Sequence, residues 1–197
     1  MTPIEDERPR LAHQVELLGA SDWRTRLAAE RALDQAGQAA LDLVVEGLTH
    51  PSAAVRRQCA AFMDHHADDR CVPQLYEAVN DPVPSVRREA LHALGCQQCK
   101  PAPLAVDALP VLIDHALGDP SKRVRLSAVA GIGRHPRDPR AVAPLQTVLG
   151  QETDRLVRKH AHRALRHHEP AYRSATDAAA RARATEARRT DTTDTEP

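Results

Sequence analysis

DPVPSVRREALHALG, residues 81–95, is the stretch from which the rest of the chain is read. Pro82 and Pro84 stand at its start, where a fixed φ and a missing N–H suit the head of a helix. Val86, Ala90 and Leu94 then recur at i, i+4 and i+8 with Ala93 beside them, one apolar stripe at helical period. Gly95 occupies the expected place of a C-cap. The spacing therefore predicts a turn followed by a helix.

Variants of this unit lie on both sides of it. Aligned on the Val-Arg step, they fall at Thr25-Arg26, Val55-Arg56, Val86-Arg87, Val124-Arg125 and Val157-Arg158, a period of 30 to 38 residues. Self-similarity in that range marks a solenoid, because one helix pair cannot bury its apolar face until a neighbour stacks on it. The second copy, HPSAAVRRQCAAFMDHHADDRCVPQLYEAV from His50 to Val79, carries the whole plan of helix, loop and helix. The third copy is longer, and its extra residues fall in GCQQCKPAPLAVDALP. The expectation is an all-α solenoid of about five helix pairs.

Four divisions follow. Residues 1–19 read as an N-terminal capping helix, from about Ile4 to Leu18, and 20–169 as the repeat array. Ser21 is the expected N-cap of the first copy, with Trp23 covering the end of the stack. Residues 170–189 have high helix propensity but no wide apolar stripe, so a polar helix or cap is expected there. The polar run 190–197, TDTTDTEP, reads as a disordered tail.

Composition agrees with helices. Trp23, Phe62, Tyr76 and Tyr172 are the whole aromatic set, too few for a typical sandwich or barrel core. Lys plus Arg and Asp plus Glu balance at 27 each, so no global basic excess advertises nucleic acid. No apolar run is long enough to cross a bilayer, and the N-terminus lacks a secretory pattern. Cys59, Cys71, Cys96 and Cys99 suggest reduced thiols, and the expected location is cytoplasmic.

Two constellations draw attention. In the first, the Arg that follows each aligned Val lies within reach of a turn carboxylate, and stacking repeats that pair into a ladder. Its members are Arg26, Arg56, Arg87, Arg125 and Arg158, with Asp81, Asp119 and Glu152 as acceptors. His50 replaces the acid in the second copy, where the ladder should weaken.

The second constellation is Cys96-Gln-Gln-Cys99. Two thiolates at this spacing grip one soft metal ion, but a tetrahedral site needs two further ligands. Counting ten and eleven residues from each aligned Val finds His65, His66 and His135 on the same loop edge, so zinc or iron at Cys96 and Cys99 is the candidate cofactor. The leading expectation is no cofactor, with packed sulfurs and solvated histidines; a metal-binding or thiol-dependent protein centred on this loop is the alternative.

Basic residues Arg57, Arg88, Lys122, Arg123, Arg155 and Lys159 cluster near the starts of first helices. Flanking acids and scarce aromatics argue against a nucleic-acid stripe. Serine elbows and phosphate-cradling glycine loops are not evident, so an enzyme is not expected.

With Asp81-Pro82 and Asp119-Pro120 in the turns, Ala90-Leu91 and Ala93-Leu94-Gly95 closing a first helix, and Val72-Pro73 with Leu75 opening a second, the chain resembles the HEAT repeats, in particular the short kind first noted in phycobilin lyases. The resemblance covers about residues 20 to 168. It implies a right-handed superhelix of antiparallel helix pairs, acting as a non-enzymatic scaffold for a protein partner along a concave face lined by second helices. Contacts are then expected at Gln74, Tyr76, Glu77, Asp114, Gln146 and Thr147, with Tyr76 as anchor.

Overall fold

A computed structural model describes the backbone of residues 3–193 and the side chains of residues 7–185. Eleven α-helices and no strand occur among the described residues. Helix α1 (Pro3–Leu17) comes first, followed by five pairs. They are α2 (Trp23–Ala36) with α3 (Leu41–Gly47), α4 (Ala53–His66) with α5 (Val72–Ala78), α6 (Pro84–Gly95) with α7 (Leu109–Gly118), α8 (Lys122–Arg134) with α9 (Val142–Gln151), and α10 (Arg155–His168) with α11 (Pro170–Thr193).

First helices pack side by side in the order α4, α6, α8, α10, and each second helix packs against the first helix of the following pair. Val55, Val86, Val124 and Val157 all lie in the core, none more than 1% exposed. The same core takes Leu33, Leu75, Leu94, Leu112, Leu145 and Leu165, each worth roughly 1.5–3 kcal/mol of burial. The fold is an α-solenoid. Helix α1 sits on α2 as α5 sits on α6, in the place that the second helix of a pair takes.

Local details depart from expectation in four places. Asp22, not Ser21, caps α2, accepting the Thr25 N–H at 2.8 Å. Trp23 does not cover the stack; it is 58% exposed with the Arg24 guanidinium over its ring. Gly95 is the last residue of α6 rather than a cap, and Cys96 follows in extended conformation. Its missing side chain serves packing instead: a Cβ there would meet Leu112 at 3.3 Å, and one at Gly131 would meet the same Leu112 at 2.8 Å. The two glycines thus open the slot into which Leu112 of α7 fits. Finally, α11 continues to Thr193, so the expected tail boundary at 190 moves, and residues 194–197 lie outside the described residues.

The extra residues of the third copy form the loop 96–108. It folds back over the second pair, the Ala105 N–H donating to Asp69 Oδ1 at 2.7 Å, with Leu104 and Ala108 buried. No helix among the described residues is long and apolar enough to cross a membrane.

Candidate functional site

The repeats are tied by their arginines. Arg56 meets Asp81 at 2.6 Å, Arg87 meets Asp119 at 2.8 Å, and Arg125 meets Glu152 at 2.6 Å. Each of these arginines also donates Nη1 to two carbonyls of its own turn: His50 and Pro51, Asp81 and Pro82, Asp119 and Pro120. The carboxylates in turn accept backbone N–H groups, Val83 on Asp81 and Ser121 on Asp119. Burial opposes ionisation of Asp81 and Asp119, but the arginine and N–H bonds outweigh it and hold both below the usual carboxylate range. The Arg125 bond lowers Glu152 likewise. Arg26 keeps the carbonyl bonds, to Ala20 and Ser21, with no carboxylate partner among the described residues. At the equivalent position His50 accepts the Ser52 N–H and meets Glu16 instead. Arg158 is exposed, with no acidic partner among the described residues.

A second cluster joins two adjacent pairs. Asp64, on the last turn of α4, points toward α6; His92 lies near the end of α6, and Cys96 and Cys99 follow it. One ligand atom from each of the four lies within 4.8 Å of the others. His92 Nε2 is 3.2 Å from Asp64 Oδ2, and the Cys96 and Cys99 sulfurs are 2.7 Å apart. Asp64 Oδ1 is buried without a hydrogen-bond partner. Beneath the group Lys100, its side chain fully buried, donates to the Ala93 and Cys96 carbonyls at 2.5 and 2.9 Å, with Nζ 3.9 Å from Asp64 Oδ1. Those carbonyls belong to the C-terminal end of α6, where a cation is favoured.

The electrostatics follow from this crowding. Burial raises the Asp64 carboxyl, but His92, Lys100 and His65 outweigh it and leave it below its ordinary value. The Cys96 hydrogen bond, burial and Asp64 push the Cys99 thiol up to about 11. Burial lowers the Lys100 ammonium, with Asp64 resisting. Cys59, pushed up to about 12 by burial, is an inert core thiol, and burial raises Cys71 too.

Of the ligands expected from spacing, Cys96 and Cys99 come together, and Asp64 and His92 complete the group in place of the loop histidines. His65 stays at the rim, Nδ1 3.3 Å from the Cys99 carbonyl. His66 turns away to stack on Phe62 and meet Asp34, and His135 faces Pro136 and Asp107. The sequence held a signal for His92: it stands four residues before Cys96, the spacing that puts two side chains on one face of a helix.

The expected partner contacts divide in the same way. Tyr76 and Asp114 line a groove of 620 Å³ between α5 and α7, with Val79, Pro110 and Val111 among its apolar walls. The Tyr76 hydroxyl donates to the Asp107 carbonyl at 3.3 Å, so loop 96–108 forms one side of it. A second hollow of 280 Å³ follows between α7 and α9, lined by Ala116, Leu117 and Val148. Glu77, Gln146 and Thr147 are exposed on these helices beyond the groove lining; Gln74 is half-buried, its Oε1 without a partner. On the first helices Lys122 pairs with Asp154 and Arg88 with Glu89, while Arg123, Arg155 and Lys159 are exposed.

No curated protein matches the sequence. Among solved structures, one engineered protein is similar at 20% identity, covering 79% of this chain and 77% of that one with a TM-score of 0.46. Another engineered protein matches at 18% identity over 81% of this chain and 98% of its own, TM-score 0.44. A designed armadillo repeat protein matches at 16% identity over 81% and 100%, TM-score 0.33. The family model described as HEAT repeats matches residues 41–115 and 109–194, and with pairs of helices stacked in that register the chain belongs to the HEAT-repeat family.

Proposed function

We propose that this chain is a scaffold that binds a protein partner along its second helices, with the α5–α7 groove as the principal contact. HEAT repeats generally mediate protein interaction, and the observation that carries the reading here is the groove itself: apolar walls with a half-exposed tyrosine and the exposed Asp114 in its lining. Asp114 and Glu77 are exposed, whereas Asp119 at the groove's end is already neutralised by Arg87. A basic segment with one or two apolar anchors complements that surface. Tyr76 supplies the large rigid contact that dominates interface energies, and the acidic rim steers association and sets its salt dependence.

The arginine ladder belongs to this function indirectly. It fixes the angle between successive pairs and therefore the width of the groove. The Cys96 to Ala108 loop contributes the wall that carries Asp107.

Capture from an extract of the native host tests the reading, using wild type, Tyr76→Ala, Asp114→Lys and, on the first-helix face, Arg123→Glu. A discrete protein lost in the first two variants and kept in the third supports it. A ligand lost only in Arg123→Glu would place binding on the basic face instead.

A further inference from the structure

We infer that Asp64, His92, Cys96 and Cys99 form a structural zinc site that fastens the end of α6 and the loop 96–108 to α4. The four donors come from two adjacent repeats and converge without any neighbouring loop having to move in, all within 4.8 Å of one another. Zinc with ligands at about 2.0–2.3 Å asks for donors roughly 3.3–3.8 Å apart. To reach that geometry the two sulfurs open from 2.7 Å, and the widest separations close by about 1 Å.

The chemistry of the set selects the ion. Two sulfurs, an imidazole and a carboxylate suit a borderline-soft tetrahedral cation and poorly suit calcium or magnesium, which take oxygen. Four protein donors leave no open position for substrate, which is the mark of a structural centre rather than a catalytic one. One feature of the surroundings is otherwise unexplained, and two others fit a bound cation. Asp64 Oδ1 is buried without a donor, and a coordinated ion supplies the missing partner. Lys100 is a fully buried ammonium beside this group. It balances Asp64, so replacing two thiol protons by one dication leaves the net charge of the buried cluster unchanged. The ammonium also holds the Cys96 carbonyl, fixing the backbone between the two sulfurs. His92 binds through Nε2, giving up its hydrogen bond to Asp64, while its Nδ1 takes the proton and releases exposed Arg134.

The site stands independently of what occupies the groove. Its test uses the full chain without a histidine tag, isolated from zinc-supplied cells and measured for metal by elemental mass spectrometry. Stripped protein is then titrated with cobalt, whose thiolate charge-transfer and tetrahedral d–d bands report the donor set. The expected result is one zinc per chain and both band systems, with both abolished in Cys96→Ser/Cys99→Ser. Asp64→Asn and His92→Asn should each weaken cobalt at least tenfold while the far-ultraviolet circular dichroism stays helical. Thermal melts of wild type with and without a chelator give a readout that needs no variant, and chelation should lower the midpoint. Folded wild type that takes up neither metal, zinc retained by the double serine variant, or unchanged affinity in both Asp64→Asn and His92→Asn would each overturn the assignment.

Discussion

Arg87 reaches out of its own repeat and grips Asp119 of the next with two parallel hydrogen bonds, Nε and Nη2 each 2.8 Å from a carboxylate oxygen. The third nitrogen holds the carbonyls of Asp81 and Pro82, so one guanidinium fastens two turns. Both side chains are nearly buried, at 10% and 2% exposure, which removes this pair from the class of weak surface bridges. Truncating one partner strands the other. Arg87→Ala should therefore lose about 3–5 kcal/mol. Arg26→Ala, which gives up only carbonyl bonds, should lose about 1 kcal/mol. Urea unfolding of the two variants beside wild type measures the difference, and equal losses would refute a graded ladder.

His50 is where the ladder is broken, and the break can be repaired. His50 Nδ1 already accepts the Ser52 N–H at 3.0 Å, as Asp81 Oδ1 accepts that of Val83 at 2.7 Å. His50→Asp should keep that bond and offer Arg26 the carboxylate it lacks. Allowing for repulsion from Glu16, the gain expected is about 0.5–1 kcal/mol. A thermal melt that shifts downward instead of up would show that the two turns are not equivalent.

His168 makes the molecule sensitive to mild acid. It is buried, accepts the Asp138 N–H on Nδ1 and donates Nε2–H to the Ile132 carbonyl, an arrangement that needs the neutral ring. Burial lowers its pKa below the ordinary 6.5, so the unfolded chain takes up the proton first. The stabilising contribution is thus full above pH 6.5 and declines as the pH falls below it toward the folded value. Melting midpoints from pH 8 to pH 5 should fall more steeply for wild type than for His168→Gln. Parallel slopes would remove His168 as the cause.

Lys100 offers a prediction about the inserted loop. Replacing it by Met preserves much of the bulk but leaves the Ala93 and Cys96 carbonyls without a donor and Asp64 without its counter-charge. A loss of about 1–3 kcal/mol follows from the stranded groups. Hydrogen exchange should localise the loosening to the end of α6 and residues 96–108, and uniform exchange across all pairs would contradict it.

How far these relationships could be read from sequence depends on the residue. Three rungs of the ladder were legible because they repeat with the helices: Arg56, Arg87 and Arg125 each follow an aligned Val, and each acid opens a turn. Arg26 and Arg158, expected in the same row, have no carboxylate partner among the described residues. Helix pairs were legible for the same reason, since Val55, Val86, Val124 and Val157 share one environment. Asp64 and His92 were not, because the repeat register points to the loop edge, one residue past Asp64 and beyond the helix face that carries His92. A helix turns about 100° per residue, so moving from His65 to Asp64 exchanges an exposed side chain for one aimed at the next repeat. Lys100 was hidden for a different reason: a lysine in a polar insertion reads as solvated, and only the fold shows that the loop turns inward over α6.

Binding along the second helices is tested most directly by photo-cross-linking in the native host, with the reactive residue placed at Asp114 in one variant and at Arg123 in another. Asp114 lines the α5–α7 groove, while Arg123 is exposed at the start of α8, outside it. The expected result is a discrete protein adduct from position 114 that disappears when Tyr76→Ala is added, with none from position 123. An adduct from position 123 alone, or one from position 114 that survives Tyr76→Ala, would contradict a partner seated in the groove.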